Sequence, residues 1–148
     1  MYLRITSLEY TIFDWEVRSI TIPWEAGEFT VLPNHVPLTS STKGGIVKIL
    51  PKDHEASFIQ SWDFLFDDDK ISISVSKWLF FTDGTVNVLT VSSATSSPEE
   101  SKEVLEKMKE NLKEELDKLK KDWSLEDIEK ATSELDKINA DIKLTQFK

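Results

Sequence analysis

The chain of 148 residues contains no cysteine, four glycines, five prolines and only two arginines, and these scarcities limit its chemistry. Without cysteine it has no disulfides, no thiolate metal ligands and no cysteine nucleophile. No apolar stretch approaches the roughly 18 residues of a membrane span, and the N-terminus lacks the apolar run of a signal peptide. We therefore expect a soluble chain without direct membrane insertion.

The charge balance is strongly acidic, with a formal net charge of −9 at pH 7. Binding to nucleic acid or to anionic lipid requires a basic face, and none is concentrated here. The two arginines, Arg4 and Arg18, both lie near the N-terminus. We therefore expect no nucleic-acid partner.

A search for catalytic motifs is negative. The histidines, His35 and His54, lie in different predicted turns, and glycine-rich phosphate loops and metal-binding histidine pairs are absent. The acidic run Asp67-Asp68-Asp69 lacks the glycine and distal glutamate of a calcium loop, so it indicates a solvated turn. We predict no catalytic residue, no cofactor and no metal, and hence a protein that is not an enzyme.

The first part of the chain has the pattern of short β-strands. Residues 71–76 alternate isoleucine or valine with serine, which predicts a strand in a sheet with one face buried. Val86 and Val88 begin a second alternating segment. Thr82-Asp83-Gly84-Thr85, which lies between the two segments, is typical of a hairpin turn. Further strands are predicted at Leu3–Ser7, Arg18–Ile22, Glu28–Leu32, Ile46–Leu50, Ser57–Trp62 and Phe64–Phe66.

The last part has the pattern of two helices. Ser97-Pro98-Glu99-Glu100 is a capping box for the first helix, and Ser124 with Asp127 opens the second. Each helix carries one narrow apolar stripe, and the break between them is short, so we predict an antiparallel hairpin. The residues predicted to pack in this hairpin are Leu105, Met108, Leu112, Leu116, Ile128, Leu135, Ile138 and Ile142. Whether the stripes bury each other or face a partner is left open.

The composition changes near residue 94, which sets the predicted domain boundary. Residues 98–148 hold 15 acidic and 11 basic side chains and no glycine. We therefore predict a flattened β-sandwich of about ten strands over residues 1–94 and an antiparallel α-helical hairpin over residues 95–148.

The most distinctive string is Glu25-Ala26-Gly27-Glu28-Phe29-Thr30-Val31-Leu32-Pro33-Asn34-His35-Val36-Pro37-Leu38, a strand between two stiff turns. Together with Val17–Pro23 and Gly45–Ile49, it closely resembles the segment that identifies the ε subunit of bacterial F-type ATP synthases, the δ subunit in mitochondria. The resemblance continues at Val86–Leu89 and, more weakly, at Ala131–Leu135. It implies the same layout of a ten-stranded sandwich followed by a helical hairpin.

The resemblance also implies a function: a non-catalytic rotor subunit at the cytoplasmic face of the membrane, which couples the γ shaft to the membrane c-ring. It places Glu25, Gly27, Glu28 and Phe29 at the c-ring interface. It places Pro33, Asn34, His35 and Pro37 near γ. In bacterial members the hairpin can also reach the catalytic α/β hexamer and block ATP hydrolysis.

The chain departs from this family in three places. Ser76-Lys77-Trp78 stands where the family usually has a glycine pair, and roughly a dozen extra residues lie within 51–69, enough for an added hairpin. The absence of arginine after Arg18 predicts no ATP site of the arginine-dependent kind, and the acidic hairpin leaves the inhibitory role open.

An alternative interpretation starts from the aromatic residues between 62 and 81. They predict sandwich core, but they also suit a carbohydrate- or protein-binding module with a helical tail, which would expose Trp62 and Trp78.

Overall fold

The computed structural model describes residues 1–53, 64–77, 79–96, 102–122 and 125–145. It contains ten strands followed by two helices, α1 and α2. The strands in chain order are β1 Tyr2–Thr6, β2 Thr11–Trp24, β3 Gly27–Val31, β4 Leu38–Ser41, β5 Gly45–Pro51, β6 Leu65–Asp67, β7 Lys70–Val75, β8 Leu79–Thr82, β9 Val86–Thr90 and β10 Ala94–Thr95. The helices are α1 Lys102–Asp122 and α2 Leu125–Thr145. This confirms the predicted sandwich followed by a helix pair.

The long strand β2 belongs to both layers of the sandwich. Its first half pairs with β1, which continues through β9 and β8 to β4. Its second half pairs with β3 and with β5, which continues through β7 to β6 and β10. The register with β5 shifts between Val17 and Ser19, a bulge of the kind that bends a strand.

The core lies between the two layers. Alternate residues of the strands point inward, so that Leu3 and Ile5 of β1, Ile71 and Ile73 of β7, and Phe80 of β8 are fully buried. Each buried side chain of this size contributes about 1.5–3 kcal/mol of hydrophobic free energy. The inward-facing residues of both sheets therefore form one core.

The two predicted turns form, but the second one joins a different pair of strands from the pair that the sequence predicts. Asp67-Asp68-Asp69-Lys70 forms the turn between β6 and β7, with Asp68 at a φ of 53°. The Asp83-Gly84 turn joins β8 to β9, whereas β7 pairs with β5, β6 and β10. The alternating segments 71–76 and 86–88 are therefore not hairpin partners, because β8 lies between them in the chain and takes that place.

The serine face of β7 is also buried, which corrects the prediction of a strand with one buried face. Ser72 and Ser74 are both 0% exposed. Helix α2 packs on β5 and β7, and α1 packs on α2. The helix therefore supplies the cover that the sequence pattern of β7 does not predict.

Some predictions lie outside the described residues. These are the strand at Ser57–Trp62, the caps at Ser97–Glu100 and Ser124, and most of the inserted segment within 51–69. The predicted domain boundary at 94/95 falls inside β10, which pairs Ala94 with Val75 and Thr95 with Ser74.

Candidate functional site

The first candidate surface is the tip of the β2–β3 hairpin. Trp24 pairs with Gly27, so only Glu25 and Ala26 form the turn, and Gly27 adopts a φ of 130° that favours glycine. Glu25, Gly27 and Glu28 are all exposed. The carboxylate of Glu28 lies 3.4 Å from the ammonium of Lys48, in a solvent-exposed ion pair that contributes at most about 1 kcal/mol. Three of the four predicted c-ring residues therefore lie together at the exposed tip of this hairpin.

The fourth residue, Phe29, points towards the core. Its ring packs edge-to-face on Phe80 at 6.1 Å and on Trp24 at 6.0 Å between centroids. Phe80 is fully buried, so this row of aromatic rings ties the hairpin to the core. Trp24, which the sequence analysis did not single out, is 45% exposed at the end of the row. Its position at the end of a predicted strand, directly after Pro23, is the signal that could have found it.

The second candidate surface is the loop between β3 and β4. Asn34 has a φ of 66°, and its N–H donates to the carbonyl oxygen of Gly84 at 2.9 Å. Pro33, Asn34 and Pro37 are exposed, while His35 is half-buried with Nδ1 2.7 Å from the carbonyl oxygen of Val36. All four predicted γ-side residues therefore lie in one loop.

This loop rests on the β8–β9 turn. A Cβ atom on Gly84 would lie 2.6 Å from the carbonyl oxygen of His35, so the two backbones meet at a distance that only glycine permits. The Oδ1 of Asp83 accepts hydrogen bonds from the N–H groups of Val86 and Thr85, both at 2.8 Å. These bonds hold the pKa of Asp83 below its ordinary range, and the bond from Val86 has the larger effect. A fixed turn therefore supports the loop from beneath.

The two surfaces lie at opposite ends of β3. The strand runs from Gly27 at the tip to Val31, which precedes the loop, and a strand rises about 3.3 Å per residue. The tip and the loop are therefore about 13 Å apart along one strand. The distinctive string consequently presents two surfaces to two different directions.

Two exposed apolar side chains add to the surface of this loop. Leu32 is 57% exposed and Val36 is 71% exposed. Neither was predicted as an interface residue, and both lie next to predicted ones. Exposed apolar side chains beside polar ones are typical of the surfaces through which proteins bind each other.

The predicted stripes of the helices lie mostly in packed positions. Leu105 and Ile138 are buried, and Leu112, Leu116, Ile128, Leu135 and Ile142 are half-buried. Met108 is 39% exposed, so the structure leaves it at the edge of the contact. Two buried residues of α2 were not in the predicted stripe: Ala140 and Leu144. They are buried because α2 contacts both α1 and the sheet.

A buried lysine lies between α2 and the last strand of the sandwich. The ammonium of Lys137 donates to the hydroxyl of Thr95 at 2.8 Å and to the carboxylate of Asp141 at 2.7 Å. Burial lowers the pKa of Lys137, and the charge of Asp141 opposes part of that change. Burial raises the pKa of the adjacent Asp136, against the opposing charges of Lys43 and Lys77.

Within the described part of the chain, no three or more histidine, aspartate or glutamate side chains gather as metal ligands. None of its helices is long and apolar enough to span a membrane. What the two surfaces offer chemically is binding, through exposed carboxylates, apolar side chains and rigid turns.

Comparisons with known proteins give the family. Residues 1–79 match the family described as ATP synthase, Delta/Epsilon chain, beta-sandwich domain. The chain is 33% identical over 112 residues to the ATP synthase epsilon chain of a Nitratiruptor species, covering 74% of this chain and 82% of that one. It is 30% identical over 111 residues to the ATP synthase epsilon chain of Campylobacter curvus, covering 73% and 81%.

A solved structure gives the same fold. A chain in the mitochondrial ATP synthase complex of Euglena gracilis superposes with a TM-score of 0.69 at 18% identity, over 97% of this chain and 79% of that one. Sequence and fold therefore agree, and the chain belongs to the delta/epsilon chain family of ATP synthase subunits.

Proposed function

We propose that this chain is a non-catalytic subunit of the central stalk, which couples the γ shaft to the membrane c-ring of a proton-translocating F-type ATP synthase. The observation that carries the proposal is the family match over the sandwich, combined with two exposed surfaces at opposite ends of β3. A coupling element needs two docking surfaces held at a fixed distance, and a hydrogen-bonded strand provides that stiffness. In this arrangement the chain stays peripheral to the membrane, at its cytoplasmic face.

The hairpin tip is the proposed c-ring contact. Glu25 presents its carboxylate on the two-residue turn and Glu28 presents its own at the start of β3, and the row Trp24, Phe29 and Phe80 fixes the direction of this hairpin tip. In this arrangement Phe29 acts from behind the surface by positioning the two carboxylates.

The β3–β4 loop is the proposed γ contact. The Gly84 backbone and the Asn34 conformation fix Pro33, Asn34 and His35 in one shape, and the exposed Leu32 and Val36 add apolar area. A preformed loop loses little conformational entropy on binding, which favours a permanent contact.

Substitutions at the two surfaces test the proposal in the assembled enzyme. We expect Glu25→Gln with Glu28→Gln to lower proton-driven ATP synthesis while ATP hydrolysis continues, since coupling to the ring is lost. We expect Asn34→Ala with His35→Ala to lower co-purification with γ. Glu16→Gln is the matched control, because Glu16 is an equally exposed glutamate in a surface ion pair with Lys52. Full coupling in the Glu25→Gln, Glu28→Gln variant would contradict the c-ring contact. Unchanged recovery of γ with the Asn34→Ala, His35→Ala variant would contradict the γ contact.

We also propose that the helix pair restrains ATP hydrolysis. Truncation after Ser96 tests this and keeps β10 paired with β7. Faster hydrolysis by the assembled enzyme supports a brake, and an unchanged rate removes it.

The alternative, a carbohydrate- or protein-binding module, is not favoured, since the chain belongs to a family of ATP synthase subunits. The tryptophans it would require, Trp62 and Trp78, lie outside the described residues.

A further inference from the structure

The tip of the β2–β3 hairpin exposes a tryptophan ring. Trp24 is 45% exposed, and its cross-strand partner is Gly27, which has no side chain to cover the indole. Tryptophan is among the residues that most often dominate the binding energy of protein interfaces, and its two side-chain torsions make it inexpensive to hold in one position. An exposed tryptophan at a proposed contact is therefore a candidate anchor of that contact.

The ring is held in place on two sides. Trp24 packs edge-to-face on Phe29, with the centroids 6.0 Å apart and the ring planes at 85°. Pro23 packs on Gly45, where an added Cβ would lie 2.8 Å from the Pro23 Cβ. The carbonyl oxygen of Pro23 also accepts a hydrogen bond from the N–H of Lys43 at 3.2 Å. The backbone that carries the indole is therefore fixed before a partner binds, which reduces the entropy lost on binding.

An unpaired carboxylate stands beside this ring. Glu25 follows Trp24 in the chain and is exposed. The ion pairs found over the described ranges do not include Glu25. Glu28 differs, because its carboxylate already lies 3.4 Å from the ammonium of Lys48. Glu25 is therefore the acidic group of the tip that is free to accept a new partner.

Charges of both signs line the groove of about 740 Å³ between the tip and the helices. Besides Glu25, its charged residues are Lys43, Lys48, Lys109, Lys143, Glu28 and Asp136. Four cations and three carboxylates nearly cancel, so the groove as a whole favours neither sign of charge. What the tip offers to a cation is the local combination of the ring and the Glu25 carboxylate.

A ring face next to a carboxylate suits an arginine side chain. A cation over an aromatic face is attracted by the charge distribution of the ring, and tryptophan gives the strongest such attraction. The guanidinium group is planar, so it stacks on the ring while its N–H groups donate to a carboxylate. The ammonium of lysine is compact and strongly hydrated, and it lacks this stacking surface.

We propose that Trp24 and Glu25 together recognise an arginine on the partner that docks at the hairpin tip. The guanidinium stacks on the indole and donates hydrogen bonds to the Glu25 carboxylate. That this partner is the c-ring rests on the function proposed above. The two claims fail separately, because a c-ring can bind the tip without using Trp24 or an arginine.

Binding of the full chain to purified c-rings in detergent tests the recognition site. We expect Trp24→Leu to weaken binding about 2- to 30-fold, the range of a cation–π contact, and Trp24→Phe to weaken it less, because a ring remains. Glu16→Gln is the control for a change of surface charge, since Glu16 pairs with Lys52 away from the tip. Equal affinities of the wild type and Trp24→Leu would overturn the proposal. Absence of binding by the wild type would instead overturn the c-ring contact itself, and with it the partner named here.

The arginine on the partner gives a readout that a merely structural role of Trp24 would not change. On c-rings whose arginine in the loop facing the tip is replaced by glutamine, Trp24→Leu should cause no further loss, because the contact is already absent. Replacement of that arginine by lysine should retain only part of the affinity. A loop without arginine, or a Trp24→Leu loss that persists in full on the glutamine ring, would overturn the proposal.

The salt dependence of binding tests the part of Glu25. Ions screen a contact between exposed charges, so wild-type binding should weaken as the salt concentration rises. Glu25→Gln should weaken binding at low salt and flatten this dependence, whereas Trp24→Leu should leave more of the dependence in place. A salt dependence in Glu25→Gln equal to that of the wild type would overturn the role of Glu25.

Discussion

The contact between the Gly84 turn and the loop at His35 allows a quantitative prediction for Gly84→Ala. The residue has a φ of 92°, and its added Cβ would lie 2.6 Å from the His35 carbonyl oxygen and 3.3 Å from the Asn34 Cα. A non-glycine residue in left-handed backbone costs about 1–2 kcal/mol. Forcing an atom into a packed site adds about 1–3 kcal/mol. We therefore expect the free energy of unfolding to fall by about 2–5 kcal/mol.

Gly27→Ala is the matched control for this prediction. Gly27 also has a positive φ, of 130°, but its added Cβ would have no atom within 4 Å. This variant should lose only the backbone contribution of about 1–2 kcal/mol. The difference between the two variants therefore isolates the contact with the loop.

Guanidinium denaturation followed by tryptophan fluorescence measures both variants against the wild type. The same samples can be tested for γ binding, which Gly84→Ala should weaken because the loop must move away from the added atom. Equal losses of stability in the two variants would refute the reasoning, since the close approach at His35 would then cost nothing.

Four further substitutions give distinct outcomes. Ser74→Ala should leave the free energy of unfolding unchanged or raise it by up to about 1 kcal/mol, because the buried hydroxyl is unpaired. Ser76→Ala should lower it by about 1–3 kcal/mol, because the Ser76 Oγ accepts two backbone hydrogen bonds. Denaturation curves that do not separate the two variants would contradict this pair of predictions. Asp83 has a lowered pKa, so its contribution to stability is present above about pH 4 and is lost as the pH falls through the folded-state pKa. Asp83→Asn should therefore lose less stability than the wild type between about pH 7 and pH 3. Equal losses in the two proteins would count against this role of Asp83. Leu144→Ala removes most of a fully buried side chain of α2 and should lower the free energy of unfolding by about 2–5 kcal/mol. The helical circular dichroism signal should then be lost at a lower denaturant concentration. An unchanged denaturation midpoint would show that α2 is not packed at this position.

Local patterns in the sequence predicted most of the architecture. The strict alternation at residues 71–76 and the Asp83-Gly84 turn depend on neighbours in the chain, so they could be recognised without the fold. The apolar spacing of the helices is equally local, and it placed Leu105 and Ile138 correctly in the packed stripe. The candidate interface residues were found through the resemblance of one string to a family.

The sequence could not predict which residues meet across the fold. The second buried face of β7 depends on α2, which lies some fifty residues further along the chain. The packing of α2 against its neighbours also buries Leu144 and most of the Lys137 side chain, neither of which is in the predicted stripe. Such contacts are set by the path of the whole chain and not by local periodicity.

The sequence by itself determined the strand and helix content, the rigid turns at Gly27 and Asn34, and the family, because these follow from local residue preferences and from one distinctive string. The tertiary structure alone decided that Phe29 points inward, that the β3–β4 loop rests on the Gly84 turn, and that α2 lies on a serine face. The physical reason is that burial and close approach depend on residues far apart in the chain, as at Gly84 and His35.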